Sequence, residues 1–218
     1  MNKENPSIIL AVDTAHSETK IALIKNKDIF ETSWKSTNNE SEKILPAIEK
    51  LLSKNKCSLE DINKVIVIKG PGSFTGLRIG VALCNTISYF NKCDIIGIDT
   101  FVYHEIKEAV DLKKSSSHAL LVFAGEGGVY LKDNKGEIEM LDLAEAKEKL
   151  NKKKIKNIFG YLSAKQKKFF KEFKYIENKK SFGKTIAEID KMNFKNDKIV
   201  KPLYIKNPQI TKSKKCYI

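Results

Sequence analysis

The chain has 218 residues, of which 41% are hydrophobic; this suffices for one or two small domains and excludes a large multidomain enzyme. No apolar run approaches the ~18 residues of a membrane span, and residues 1–6 lack the apolar core of a secretory signal. We therefore expect a cytoplasmic protein without membrane contact. The cysteines form no C-x-x-C pair, which favours reduced thiols; they are Cys57, Cys84, Cys93 and Cys216.

The net positive charge is confined to the second half of the chain. Residues 1–110 carry 14 basic and 14 acidic side chains, whereas residues 111–218 carry 26 basic and 13 acidic ones. Such asymmetry indicates a surface that faces a polyanion. The alternative is a solvated lysine face in a lysine-rich chain, since Arg78 is the only arginine among 40 basic residues.

In chain order, the first half reads as three strands joined by short turns, followed by alternating helices and buried strands. The expected strands are 8–12, 19–24, 29–36, 65–68 and 94–98. The expected helices are 41–52, 77–90 and 100–110. The pattern predicts an antiparallel meander that continues into a buried α/β sheet.

A glycine-rich segment lies between the strand at 65–68 and the helix at 77–90. It is distinguished by three glycines, two hydroxyl residues and the single arginine: Gly70, Gly72, Ser73, Thr75, Gly76 and Arg78. Backbone N–H groups before a helix suit an anion, and glycines allow another backbone to approach closely. The spacing is neither a Walker P-loop nor a Rossmann fingerprint. The segment could equally be a tight connection in which Arg78 pairs with an internal carboxylate.

The second half restarts the same order of elements. The expected strands are 118–124, 127–132, 137–141 and 155–159, and the expected helices are 143–150, 164–172 and one around Ile186 and Ile189. Because strands followed by helices occur twice, we predict two related α/β lobes. The N-terminal lobe is expected at 1–110, and a basic C-terminal lobe with an extended tail at 111–218.

Candidate catalytic groups are sparse. The histidines His16, His104 and His118 have no metal-ligand spacing, so we interpret them as ordinary turn or helix residues. Ser73 lies outside a G-x-S-x-G motif. Asp13 follows the first strand, where a carboxylate could hold Mg²⁺ in a kinase or ATPase, but a turn-capping role is favoured.

Residues 70–82, Gly-Pro-Gly-Ser-Phe-Thr-Gly-Leu-Arg-Ile-Gly-Val-Ala, resemble the signature of the TsaB (YeaZ) family. Residues 10–15, 41–46 and 201–206 resemble three further family segments in the same order. The chain departs from the family pattern at Glu40, where histidine is frequent, and at 123–128.

This resemblance implies a two-lobe actin-like and sugar-kinase-like fold, of ribonuclease H-like topology, with mixed sheets and flanking helices. It implies a non-catalytic scaffold subunit of the transferase complex that makes threonylcarbamoyladenosine in tRNA. The partners would be a TsaD-type catalytic subunit, a TsaE-type ATPase and, through the complex, tRNA; the free chain could form a homodimer. No cofactor is expected on this chain alone, although a nucleotide could lie at the complex interface. The alternative is an autonomous peptidase or ATPase.

Two surfaces follow as predictions. The partner interface is expected on the helices at 41–52 and 77–90, because the family docks helix to helix through this lobe; its residues are Leu45, Ile48, Leu77, Val81, Cys84 and Ile87. The tRNA contact is expected on lysines interleaved with aromatic residues: Lys165, Lys167, Lys168 and Lys171. Further candidates for this second set are Lys152, Lys153, Lys154, Lys179, Lys180 and the tail lysines Lys212, Lys214 and Lys215.

Overall fold

The computed structural model of the chain describes residues 7–36, 39–112, 117–133 and 136–205. The strands are β1 (Ile8–Asp13), β2 (Glu18–Lys25), β3 (Asp28–Lys35), β4 (Lys64–Gly70), β5 (Asp94–Asp99), β6 (His118–Phe123), β7 (Gly128–Lys132), β8 (Ile138–Asp142), β9 (Asn157–Tyr161) and β10 (Lys174–Tyr175). The helices are α1 (Glu40–Lys54), α2 (Phe74–Asn91), α3 (Thr100–Leu112), α4 (Leu143–Lys152), α5 (Ala164–Phe169) and α6 (Phe182–Lys191). A single 3₁₀ turn, Leu59–Asp61, precedes β4.

The strands form two five-stranded mixed sheets with the same connectivity. The first has the order β3-β2-β1-β4-β5, in which β1, β2 and β3 make the predicted antiparallel meander and β4 and β5 run parallel to β1. The second has the order β8-β7-β6-β9-β10, again a meander extended by parallel strands. A ribonuclease H-like motif repeated in this way is the two-lobe actin-like and sugar-kinase-like fold that was predicted.

Helices cover both faces of the first sheet because its central strands are buried on both sides. On one face, α1 and α2 pack against Leu10, Val12 and Val67. On the other face, α3 and α6 pack against Ile9, Ala11 and Ile66. The alternation of these residues along β1 explains its continuous apolar run.

Helix α3 joins the two lobes into one body. Its Tyr103 and Ile106 belong to the apolar cluster of the first sheet. Its Phe101 is buried among residues of the second sheet, including Leu120 and Phe159. The single helix therefore has apolar residues that pack against each of the two sheets.

The end of the described chain returns to the first lobe, which differs from the predicted lobe boundary at 110/111. Helix α6 packs on β2 and β3, and its Ile186 and Ile189 complete the core there. Asp197 bridges to Ile95 on β5, and the N–H of Leu203 donates to the carbonyl of Lys69 at 2.7 Å. The apolar side of α6 covers the part of this sheet face, over β2 and β3, that α3 leaves open. Within the described ranges, no helix has the length and apolarity needed to cross a membrane.

Candidate functional site

The glycine-rich segment is wrapped around the turn between β1 and β2. The N–H of Ser73 donates to the carbonyl of Ala15 at 2.7 Å, and Oγ1 of Thr14 donates to the carbonyl of Gly76 at 2.7 Å. A Cβ atom at Gly72 would lie 2.2 Å from the Ala15 carbonyl oxygen, and one at Gly76 would lie 2.1 Å from that of Thr14. The glycines are therefore needed for close approach of another backbone, one of the two interpretations made from sequence.

The start of α2 is capped from within the same segment. Oγ of Ser73 accepts from the N–H of Gly76 at 3.2 Å, and the Ser73 carbonyl accepts from the N–H of Leu77 at 2.9 Å. Ser73 thus serves as an N-cap residue. Thr75 is exposed beside it. The helix therefore begins three residues earlier than predicted, because this cap lies at Ser73.

Arg78 contacts two aromatic rings. Its guanidinium lies 3.8 Å from the ring centre of Phe74, and its Nε donates to the hydroxyl of Tyr204 at 3.2 Å. The rings of Phe74 and Tyr204 are 5.0 Å apart. Arg78 is exposed, so these contacts replace the internal carboxylate considered from sequence. A flat, stacked guanidinium holds residue 204 against the start of α2.

A cleft of about 830 Å³ lies between the lobes. On the first lobe, the cleft is lined by the β1–β2 turn and residues 71–74. On the second lobe, it is lined by residues 123–126 and 161–164. Residues 203–205 line one edge of the opening. The lining is rich in hydroxyl groups and aromatic rings, and its carboxylate and ammonium groups are those of Glu126 and Lys35. Such a lining suits an uncharged or aromatic group better than a polyphosphate.

Two neighbouring buried histidines, His16 and His104, lie on the first-lobe side of the cleft. The ring of His16 stacks on that of Tyr161 with centroids 3.9 Å apart, and the ring of His104 lies 6.1 Å from His16. Burial lowers the pKa of His16 to about 4, although Asp13 partly opposes this. Burial likewise holds the pKa of His104 well below its ordinary value. Both imidazoles are therefore neutral at physiological pH, and they are more deeply buried than ordinary turn or helix residues.

Asp13 has the turn-capping role that was favoured from sequence. Its Oδ1 accepts from the N–H of Ala15 at 2.9 Å, and the residue is buried. Among the described residues, no group of three or more His, Cys, Asp or Glu side chains is arranged to hold a metal ion.

The predicted partner interface is wrong for five of its six residues. Ile48, Leu77, Val81, Cys84 and Ile87 are buried in the core of the first lobe, because this stripe of each helix packs against the sheet. Leu45 is exposed, at 38% of its surface. The sequence interpretation missed Tyr89 and Phe90, which are 79% and 76% exposed at the end of α2. A signal was available, since α2 has one charged residue in 18 within a chain that is 31% charged.

A family model described as TsaD, tRNA N6-adenosine threonylcarbamoyltransferase, matches residues 35–211. The tRNA threonylcarbamoyladenosine biosynthesis protein TsaB of Buchnera aphidicola subsp. Baizongia pistaciae is 31% identical over 154 residues, which cover 65% of this chain and 69% of that protein. The chain belongs to the TsaB family. TsaB of Buchnera aphidicola subsp. Schizaphis graminum is 41% identical over 93 residues, 43% of this chain. That match spans less than half, 44%, of the relative's own length.

Solved structures agree on the fold. An uncharacterized protein with similarity to peptidase YEAZ from Pseudomonas aeruginosa superposes with a TM-score of 0.65 at 15% identity, over 92% of this chain and all of that chain. YeaZ from Pseudomonas aeruginosa gives a TM-score of 0.50 at 19% identity, over 62% of this chain and 64% of that chain. At these identities the likeness shows the fold alone.

The two departures from the TsaB pattern have structural roles in this chain. Glu40 is buried at the start of α1, where it accepts a hydrogen bond from Ser36. Residues 123–128 form the β6–β7 hairpin at the cleft wall, and Nε2 of Gln166 donates to the carbonyls of Gly125 and Gly128, at 2.9 Å each. Gln166 is fully buried, and the sequence interpretation missed it because it lies between surface lysines.

The lysines predicted to contact tRNA differ in their exposure to solvent. Lys165 and Lys168 are exposed on α5, and Lys171 is exposed after it. Lys167 is half-buried, 3.6 Å from Glu177 and 4.2 Å from the ring centre of Tyr175. Lys212, Lys214 and Lys215 lie outside the described residues.

Proposed function

We propose that the chain is a non-catalytic subunit in the biosynthesis of threonylcarbamoyladenosine in tRNA, and that it docks and activates a TsaD-type catalytic paralogue. Its membership of the TsaB family supports the process, because the relatives are named as tRNA threonylcarbamoyladenosine biosynthesis proteins. The docking role rests on one observation: the exposed surface of α2 after Arg78 carries no charged side chain.

This surface, the α2 face, consists of the exposed residues of α2 after Arg78: Ala82, Thr86, Tyr89 and Phe90. The half-buried Ile79 and Leu83 lie beside them on the helix and also pack against the core of the first lobe. Leu45 of the neighbouring helix α1 is exposed as well. The rings of Tyr89 and Phe90 lie edge to face, 5.8 Å apart. Exposed apolar surface with aromatic anchors is typical of protein interfaces, and small residues such as Ala82 let a second helix approach.

The non-catalytic role is supported by what the candidate catalytic groups do in the structure. Asp13 caps a turn, Ser73 caps a helix, and His16 is buried against Tyr161 with its pKa lowered. Each of these groups is engaged in holding the fold. Chemistry would then belong to the paralogue, and any nucleotide would lie at the surface shared with it. A TsaE-type ATPase is expected as the third component.

The test is co-purification with the TsaD-type paralogue, followed by a tRNA modification assay. The variant Tyr89→Ser with Phe90→Ser should weaken association by about 100-fold or more, since buried aromatic anchors each contribute about 2 kcal/mol or more. The matched control is Met192→Ser with Ile199→Ser, which removes apolar side chains that are 54% and 61% exposed elsewhere. A folded Tyr89/Phe90 variant that associates like the control would contradict the docking role.

A second measurement tests the non-catalytic role. The isolated chain should show no turnover of ATP or peptide above that of the Asp13→Asn variant. Turnover that disappears in that variant would indicate the autonomous peptidase or ATPase considered from sequence.

If the α2 face also forms the interface of a homodimer, the Tyr89/Phe90 variant should be monomeric in sedimentation experiments.

A further inference from the structure

The second lobe carries a cluster of lysines where β9 and β10 begin. This basic rim consists of exposed residues that precede β9 or flank the start of β10: Lys152, Lys154, Lys156, Lys171 and Lys174. The N–H of Lys174 donates to the carbonyl of Lys156 at 2.9 Å, which places the two segments side by side. The rim therefore gathers charges that are separated by up to 22 positions in sequence.

The acidic side chains near the rim are already neutralised. Glu172 pairs with Lys147 at 2.6 Å and accepts from Asn151 at 3.2 Å. Asp133 pairs with Lys153 at 2.5 Å. Among the ion pairs of the described residues, none includes a lysine of the rim. The rim therefore presents net positive charge to solvent.

Lysines elsewhere on the same lobe have ion-pair partners. Strand β8 is at the far side of the order β8-β7-β6-β9-β10, and its Glu139 pairs with Lys149 of α4. Lys132 at the end of β7 pairs with Glu105 at 2.7 Å. The rim lysines differ from these two, because the ion pairs of the described residues include none of them.

Protection of a sheet edge is the competing explanation, because lysines on edge strands prevent unwanted strand pairing. It accounts for Lys174, which lies on the edge strand β10. It does not account for Lys152, Lys154 and Lys156, which precede β9, a strand paired on both sides. Lys152 lies in the last turn of α4, where a positive charge interacts favourably with the helix dipole. Neither explanation accounts for Lys154, Lys156 and Lys171.

We infer that the basic rim binds the phosphate backbone of tRNA. The choice of RNA among polyanions rests on the proposed function. Strands β6 and β9 end at the cleft, with Phe123 and Tyr161 in its lining, whereas the rim lies where β9 and β10 begin. The rim is also on the other lobe from the α2 face. The chain can therefore contact tRNA while that face is occupied by a protein partner. Of the lysines predicted from sequence, Lys152, Lys154 and Lys171 belong to the rim.

The experiment measures binding of an unmodified tRNA transcript by fluorescence anisotropy across a KCl series. The rim variant is Lys156→Gln, Lys171→Gln and Lys174→Gln. The matched control is Lys191→Gln, Lys195→Gln and Lys198→Gln, which removes the same charge from exposed positions on the first lobe. Each lost phosphate contact should lower the slope of log affinity against log salt by about 0.7–0.9, and the three together should reduce affinity about 10- to 100-fold near 0.1 M salt.

The measurement is made on the full chain alone and on its complex with the paralogue. A loss of slope and affinity in the rim variant but not in the control, in either preparation, supports the inference. Equal losses in both variants, or no loss in the rim variant, overturn it. Co-purification of the rim variant is scored separately and should be unchanged, because the α2 face is intact. If the wild-type chain does not associate with the paralogue, this result contradicts the proposed function and leaves the tRNA-binding inference to be decided by the anisotropy measurement.

Discussion

The imidazole of His16 in the first lobe stacks on the phenol ring of Tyr161 in the second, with centroids 3.9 Å apart and planes inclined by 11°. The hydroxyl of Tyr161 also accepts from the N–H of Ser17 at 3.2 Å and shares a 2.5 Å hydrogen bond with the Ser17 hydroxyl. This contact closes the cleft wall at the point where the lobes meet. Its stability depends on the protonation state of a buried histidine.

Acidification should destabilise the fold through His16. Burial lowers its folded-state pKa to about 4, whereas the unfolded value is near 6.5, so below pH 6.5 the unfolded chain binds a proton that the folded chain excludes. The contribution of His16 to stability is therefore constant above about pH 7 and falls as pH drops from 6.5 towards 4. The difference amounts to about 3 kcal/mol at the lower limit. Urea unfolding at pH 7.5, 5.5 and 4.5 measures it.

The variant His16→Phe keeps an aromatic ring against Tyr161 but cannot titrate. Its loss of stability on acidification should be smaller than that of the wild type, with a remainder from His104, whose pKa is also lowered. A His16→Phe curve parallel to the wild-type curve would show that His16 is not the group responsible.

Replacing Gly76 with alanine should destabilise the first lobe. The new methyl group would lie 2.1 Å from the carbonyl oxygen of Thr14, a backbone atom that cannot move without disturbing the β1–β2 turn. We expect a loss of about 2–3 kcal/mol, although alanine is the better helix former. The control is Gly127→Ala, where a Cβ meets nothing within 4 Å and the change should stay within about 0.5 kcal/mol. Equal unfolding midpoints would contradict the close packing of this segment.

The order of helices and strands could be predicted from periodicity and turn residues, because those signals are local. The exposed side of α2 could not, since α2 is apolar on both sides: periodicity groups Val81, Cys84 and Ile87 into one stripe without showing that it faces the sheet. Tyr89 and Phe90 belong to the other side. The packing of α6 on the first lobe could not be predicted either, because the apolar side of this helix could cover an exposed apolar face of either sheet.

Arg78→Lys should loosen the segment that ends the described chain. A lysine cannot stack flat on Phe74 while it donates to Tyr204, so about 0.5–1 kcal/mol of local stabilisation is lost. The N–H of Leu203, which donates to the Lys69 carbonyl, should then exchange roughly two- to fivefold faster with deuterium. Lys50→Ala on α1 is the control and should leave Leu203 unchanged. The modification activity of the complex is predicted to fall more in Arg78→Lys than in this control.

Gln166→Glu should destabilise the hairpin at the cleft wall in a pH-dependent way. In the wild type, Nε2 of Gln166 donates to the carbonyls of Gly125 and Gly128 from a fully buried position. A carboxylate there would face two carbonyl oxygens, at a cost of about 3 kcal/mol. Burial would raise the folded-state pKa of this glutamate above its unfolded value near 4.3, so the penalty is largest above the folded pKa and shrinks as pH falls through it.

Gln166→Leu, the control, removes the same donors without adding charge, and its penalty of about 2 kcal/mol should not change with pH. Stability is compared with the wild type at each pH, which cancels the contribution of His16. A penalty for Gln166→Glu that stays constant between pH 7.5 and 5 would mean that the carboxylate reaches solvent and that Gln166 does not fix the hairpin.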